Sequence, residues 1–174
     1  MKTFEFTIIA SGFDPEADDY ENALFEAGCD DATLSVQKGV LIVEFDRESV
    51  SFSRAVASAC QNVKDAGLTV ERVEPDHLVS LSEIAERANL SRQAISLYAK
   101  GERASGFPAP AVKVTSKHPL WDWGDVANWL YKKSYLNLET VIQAKIVKEA
   151  NIHIASLDVA HDGFLKRLEM CEAA

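Results

Sequence analysis

The chain has 174 residues and 19.2 kDa, with 18 Lys plus Arg against 27 Asp plus Glu and a formal net charge of -9. A composition of 47% hydrophobic and 9% aromatic residues with 8 Gly and 5 Pro excludes disordered, collagen-like and disulfide-scaffold classes, and leaves room for one or two small folded domains. No apolar run approaches the roughly 20 residues of a membrane-spanning helix, and Met1-Lys2-Thr3-Phe4-Glu5 lacks a signal-peptide apolar region, so a cytoplasmic protein with no membrane partner is expected.

The charge lies in blocks. Residues 1–76 hold 6 basic and 16 acidic side chains, residues 77–134 hold 8 and 5, and residues 135–174 hold 4 and 6. An acidic module is thus joined to a mildly basic one, at Glu74-Pro75-Asp76-His77. The net charge is therefore no argument against a nucleic-acid partner for the basic part. Three segments are expected: 1–75, 78–133 and 135–174.

In the first module, Thr3 to Ala10 alternates Phe4, Phe6 and Ile8 against Glu5 and Thr7, the pattern of a strand. Asp14 before Pro15 predicts a helix N-cap, and Tyr20, Leu24 and Ala27 follow helical spacing up to Gly28. Asp31 to Val36 and Val40 to Phe45 read as strands joined around Gln37-Lys38-Gly39. Phe52, Val56, Ala59 and Val63 predict a helix from Ser49 or Ser51 to Ala66, stopped by Gly67, and Leu68 to Val73 supplies a last strand. The order β-α-β-β-α-β is that of a ferredoxin-like sandwich within an α+β protein. Such a module is expected to sense a small-molecule effector or hold a partner. Its carboxylates Asp14, Glu16, Asp18, Asp19, Glu21, Glu26, Asp30 and Asp31 lack the spacing of a calcium loop and read first as a solvated face.

The basic centre opens on Val79-Ser80-Leu81-Ser82-Glu83-Ile84, where Ser80 can cap, Glu83 can reach back and Val79 can pack on Ile84. Ile84, Ala85 and Ala88 form one apolar side. Asn89-Leu90 makes the turn, and Ser91 caps a second helix through Lys100, stopped by Gly101. Two short helices with a tight turn predict a helix-turn-helix. With Ile95 and Tyr98 inward, Ser91, Arg92, Gln93, Ser96 and Lys100 face out. Arg can reach guanine N7 and O6, Gln adenine N6 and N7, and Ser is adaptable. Small Ala94 is expected to let the helix approach the bases.

Beyond it, Val112-Lys113-Val114 and Pro119-Leu120-Trp121 predict a β-hairpin wing with Lys113, Lys117 and His118 near its tip. Asp122 to Leu130 predicts a third helix, with Trp121, Trp123 and Trp129 read as core rather than a base-stacking platform. Leu90-Ser91-Arg92-Gln93, Phe107-Pro108-Ala109-Pro110 and the Trp121, Asp125-Val126, Trp129-Leu130 pattern together resemble the winged helix-turn-helix of the bacterial MerR-like and excisionase-type (AlpA-like) DNA-binding proteins, over residues 81–130. The resemblance implies that the second helix enters the major groove of double-stranded DNA, with Arg103, Lys113 and Lys117 on phosphates.

The tail reads as helices: one from Leu136 with Asn137 as cap, and one over Gly163 to Glu172. Leu138, Val141, Ile142, Ile146, Val147, Ala150, Ile154 and Leu157 make a broad apolar stripe, which is expected to pack on the first module or pair with its copy in a homodimer. Cys29, Cys60 and Cys171 indicate neither disulfides nor a zinc site, and the four His have no ligand spacing. No nucleophile, phosphate-loop or dinucleotide motif is present, so no catalysis, metal or cofactor is expected. The leading expectation is a sequence-specific DNA-binding transcription regulator. The alternative is a protein-interaction adaptor or antitoxin-like partner that binds a basic protein through the acidic module.

Overall fold

The computed structural model describes residues 1–16, 19–156 and 161–173, and within these the side chains of 161, 162 and 165 are left aside. It is a mixed α+β fold with a four-stranded antiparallel sheet and seven helices among the described residues. The chain forms two compact units, Met1–Pro75 with Glu149–Ala174, and Asp76–Lys148. The first boundary falls beside the cis Glu74–Pro75 bond, where the sequence changes charge. The 135–174 segment, read as one helical segment, is divided between the units, its part from Glu149 belonging with Met1–Pro75.

Alternation turns Phe4, Phe6 and Ile8 of β1 (Lys2–Ser11) into the core of the first unit and leaves Glu5 exposed. The strand pairs with β3 (Val40–Ser49) on one side and β4 (Thr69–Glu74) on the other, and β2 (Ala32–Gln37) completes the order β2-β3-β1-β4, antiparallel throughout. Lys38 (φ 52°) and Gly39 (φ 81°) form the two-residue turn between β2 and β3. Positive φ at both centres gives the turn twist that matches a hairpin. Helix α2 (Phe52–Asp65) starts on Ser51, whose hydroxyl accepts from the Arg54 N–H, and buries Phe52, Val56, Ala59 and Val63. Phe4, Phe6, Phe45 and Phe52 join in one aromatic group with centroids 5.3–5.7 Å apart.

The helix start expected at Asp14 is corrected. Asp14 accepts from the Glu16 N–H across a turn, and the described helix α1 begins later (Asp19–Glu26). A short Asx turn here competes with the helical hydrogen bonds. Asp18 lies outside the described residues.

Two side-chain devices that no local pattern announces finish this unit. Asn151 presses its amide on the outer edge of β4, its Oδ1 accepting from Val73 N–H (2.7 Å) and its Nδ2 donating to Val73 C=O (2.9 Å). The carboxylate of Glu172, at the end of α7 (His161–Glu172), accepts from the Ser53 N–H and hydroxyl at the start of α2 (3.0 and 2.7 Å). Negative charge is favoured at that helix end.

In the second unit, β5 (Leu78–Val79) pairs with β6 (Trp121–Asp122), a small sheet that the sequence did not suggest. Around it stand α3 (Leu81–Arg87), α4 (Arg92–Ala99) and α5 (Trp123–Lys132), with the part of α6 (Leu138–Ala155) up to Lys148. Val79, Ile84, Ile95, Tyr98, Val126, Leu130, Val141 and the three Trp fill the core. The indole N–H groups of Trp121 and Trp129 donate to Pro108 C=O and Ser105 C=O, so the tryptophans anchor the 105–110 loop as well as filling space.

Asn137 caps α6 by accepting from the Thr140 N–H. The apolar stripe of α6 is spent inside the chain: Val141 and Ala144 lie in the second unit's core, and Ile146, Val147 and Ala150 are buried. Leu138 is exposed, and Leu157 lies outside the described residues. Among the described residues no helix is long and apolar enough to cross a membrane.

Candidate nucleic-acid interface

The interface is built from a turn and two caps. Ser80 accepts from the Glu83 N–H while Glu83 Oε2 accepts from the Ser80 N–H at 2.7 Å, a closed capping box at the start of α3. The bond from the Ser80 backbone N–H first, and then the Ser80 side chain, hold the Glu83 carboxyl below its ordinary value of 4.5. Asn89 then adopts φ 51° and turns the chain, which asparagine tolerates better than most residues. Ser91 caps α4 by accepting from the Ala94 N–H at 3.1 Å.

Helical spacing decides which side of α4 is free. Ala94, Ile95 and Tyr98 are buried against Ile84 and Ala85. Ser91, Arg92, Gln93 and Lys100 are exposed and Ser96 is half-buried, so the structure brings these five onto the outward side of one helix. Among the described residues, Arg92, Gln93 and Lys100 make no side-chain hydrogen bond or ion pair. Ala94 is corrected: it belongs to the core, one step round the helix from the solvent side, and cannot line a surface for bases.

The wing is also corrected. In place of a regular hairpin, one bridge between Val112 and Leu120 closes an exposed loop. Lys113 at φ 55° leaves the extended conformation directly after Val112, and Pro119, lacking an N–H, blocks the ladder on the other side. Lys113, Lys117 and His118 are exposed on this loop. Arg103 places its guanidinium 5.3 Å from the Tyr98 ring centroid. The Tyr98 hydroxyl meets that of Tyr135 at 2.9 Å, and this bond raises the Tyr98 phenol above its ordinary value.

Two further cations of the unit, Arg87 and Lys148, are engaged. Arg87 donates to Asp76 C=O and lies over Trp123, and Lys148 pairs at 2.7 Å with Asp122, which also caps α5 through the Asp125 N–H. Arg92 and Lys100 on the α4 side and Lys113 and Lys117 on the loop are exposed without an ion pair among the described residues, as are Lys132 on α5 and Lys145 on α6.

The acidic module holds the residue that sequence reasoning missed. Arg47, 7% exposed, makes a two-point bond to Asp31 (2.8 Å to each oxygen) and donates to Gly28 C=O, Ser58 Oγ and Asn62 Oδ1. Asp31 is thus withdrawn from the acidic face, whereas Asp14, Glu16, Asp19, Glu21, Glu26 and Asp30 remain exposed. The partners of Arg47 lie 11 to 19 residues away in the chain, so no local pattern signals them.

Cys29, Cys60 and Cys171 are free thiols, and burial pushes Cys29 up to about 11 and Cys60 to about 12. Among the described residues no group of three or more His, Cys, Asp or Glu is placed to hold a metal ion. No protein-family model matches the chain, nor does any curated protein or solved structure compared with it.

Proposed function

We infer that the chain is a sequence-specific DNA-binding regulator, in which residues 81–130 form a helix-turn-helix of the MerR-like or excisionase type with the bridged 112–120 loop in place of a regular wing, and α4 reads the major groove. The observation that carries this reading is the outward row Ser91, Arg92, Gln93, Ser96 and Lys100 on a helix whose other side is locked in the core. Arg92 and Gln93 are residues suited to guanine and adenine edges, and they have no internal partner among the described residues to hold them back. Lys113 and Lys117 on the bridged loop would meet phosphates, as would Arg103 from its seat on Tyr98.

Under this reading the first unit is a ferredoxin-like sandwich that carries an effector or partner; the β-α-β-β-α-β order and the strand order β2-β3-β1-β4 support that arrangement. Its exposed acids, Asp14, Glu16, Asp19, Glu21, Glu26 and Asp30 among them, belong away from the DNA, because like charge opposes phosphate. They also favour a second reading, an adaptor or antitoxin-like protein whose acidic face binds a basic partner. Selection of duplexes from a random DNA pool at low salt separates the two. A retained consensus supports the regulator, and no retained DNA together with a co-purifying basic protein supports the adaptor.

A further inference from the structure

The two edges of the four-stranded sheet are treated differently. On β4 the amide of Asn151 occupies the N–H and C=O of Val73. On the opposite side, among the described residues, β2 pairs with β3 alone. Edge strands are ordinarily guarded by charges, proline or a bulge. Among the four strands of this sheet β2 alone carries no charged residue, although residues 1–75 hold 15 acidic side chains, and its pairing with β3 has no register shift.

Its side chains show the same incompleteness. Ala32, Leu34 and Val36 stand opposite Phe45, Val43 and Leu41, so they share the core-facing side of the sheet. Leu41 is fully buried, yet Val36 beside it is 40% exposed, and Ala32 and Leu34 are only half-buried. The core-facing row continues past the point where the chain covers it.

We propose that β2 is a homodimer seam, pairing antiparallel with β2 of a second copy about a two-fold axis at Leu34. Directly opposite residues in an antiparallel pair face the same side, so the register must match residues of equal parity. Centring on Leu34 sets Leu34 against Leu34 and Ala32 against Val36 of the second copy, and Thr33 against Ser35. Just beyond the strand, exposed Asp30 meets exposed Lys38 of the second copy at both ends. Centring one residue earlier sets Asp30 against Val36, and one residue later sets Lys38 against Ala32. An acid at one end, a base at the other and between them only Asp31, which Arg47 already holds, is the pattern that self-pairing requires, which selects a second copy over an unrelated strand.

The test is sedimentation velocity on the full chain between about 1 and 100 μM, spanning the range in which modest self-association is populated. The wild-type chain is expected at twice its 19.2 kDa mass. Val36→Glu, which opposes the second copy's Ala32 beside Asp30, and the surface reversal Asp30→Lys are each expected to raise the dissociation constant about tenfold or more, since like charges across strands repel. Adding Lys38→Glu to Asp30→Lys is expected to restore the dimer. A wild-type chain that stays at 19.2 kDa throughout overturns the proposal, as does a dimer unaffected by Val36→Glu and by both reversals.

Discussion

Replacing Arg47 by Met keeps the length of the stem and removes the charged head, which isolates what the buried guanidinium does. The head makes five hydrogen bonds, two to Asp31 and one each to Gly28, Ser58 and Asn62, and it lies 4.7 Å from the Phe45 ring centroid. Hydrogen bonds to a charged group contribute about 1.5–3 kcal/mol each, but bonds that share one head are not additive. Ser58 also bonds Ala55 C=O and loses little, and the Asp31 side chain, 29% exposed, can regain water. The groups left without a donor are Gly28 C=O and Asn62 Oδ1. Breaking one side of a buried pair costs about 3–5 kcal/mol, and the partial hydration of Asp31 places Arg47→Met at the lower end, about 3 kcal/mol. For a unit of this size that lowers the melting temperature by roughly 12–24 °C. Circular dichroism melting and urea denaturation of the full chain check this, with Ser58→Ala as a control expected to cost about 1 kcal/mol. A loss under about 1 kcal/mol for Arg47→Met would refute the reasoning, since it would mean that the network contributes no more than a surface pair.

Asn151→Leu should cost about 2–4 kcal/mol by stranding the Val73 N–H and C=O, and hydrogen exchange at Val73 should accelerate with it; unchanged protection would contradict the edge-plug assignment. Ser80→Ala should destabilise the chain by about 1 kcal/mol in urea denaturation through loss of the capping bond. Because the Glu83 carboxyl sits below its ordinary value when folded, its contribution is present above pH 4.5 and is lost as pH falls below that value. Glu83→Gln should therefore flatten the acid limb of a stability-versus-pH curve, and an unaltered limb would count against it. If the α4 reading holds, Lys113→Ala should weaken binding to all duplexes alike and reduce the salt slope by about 1; a change in sequence preference would contradict its phosphate role.

Local signals in the sequence carried over where the deciding interaction is local. The capping box at Ser80 and Glu83, the Ser91 cap, the left-handed Asn89 and the Lys38-Gly39 turn each involve residues within four positions of one another. The tryptophans were legible as core because helical spacing and aromatic burial agree. What escaped is non-local. Arg47 looks like one more charge on a strand, and Asn151 like a polar interruption in an apolar helix; their partners come from elsewhere in the chain. The α6 stripe was legible as apolar but not its use, because burial within a chain and burial between chains leave the same pattern. For the candidate site the outward row of α4 follows from helical geometry, whereas the role of Ala94 does not, because a small side chain suits a core as well as a close approach to a groove.

The central claim is most directly tested by the ratio of affinities for a selected duplex and a scrambled one, at one fixed salt concentration, for the wild-type chain and for Arg92→Ala and Gln93→Ala. The account predicts a wild-type preference of about 10³ or more, which each substitution cuts by about 5- to 150-fold, equivalent to 1–3 kcal/mol of lost base contact. No duplex retained at about 50 mM salt, where phosphate contacts are strong, or a preference that survives both substitutions, would contradict it.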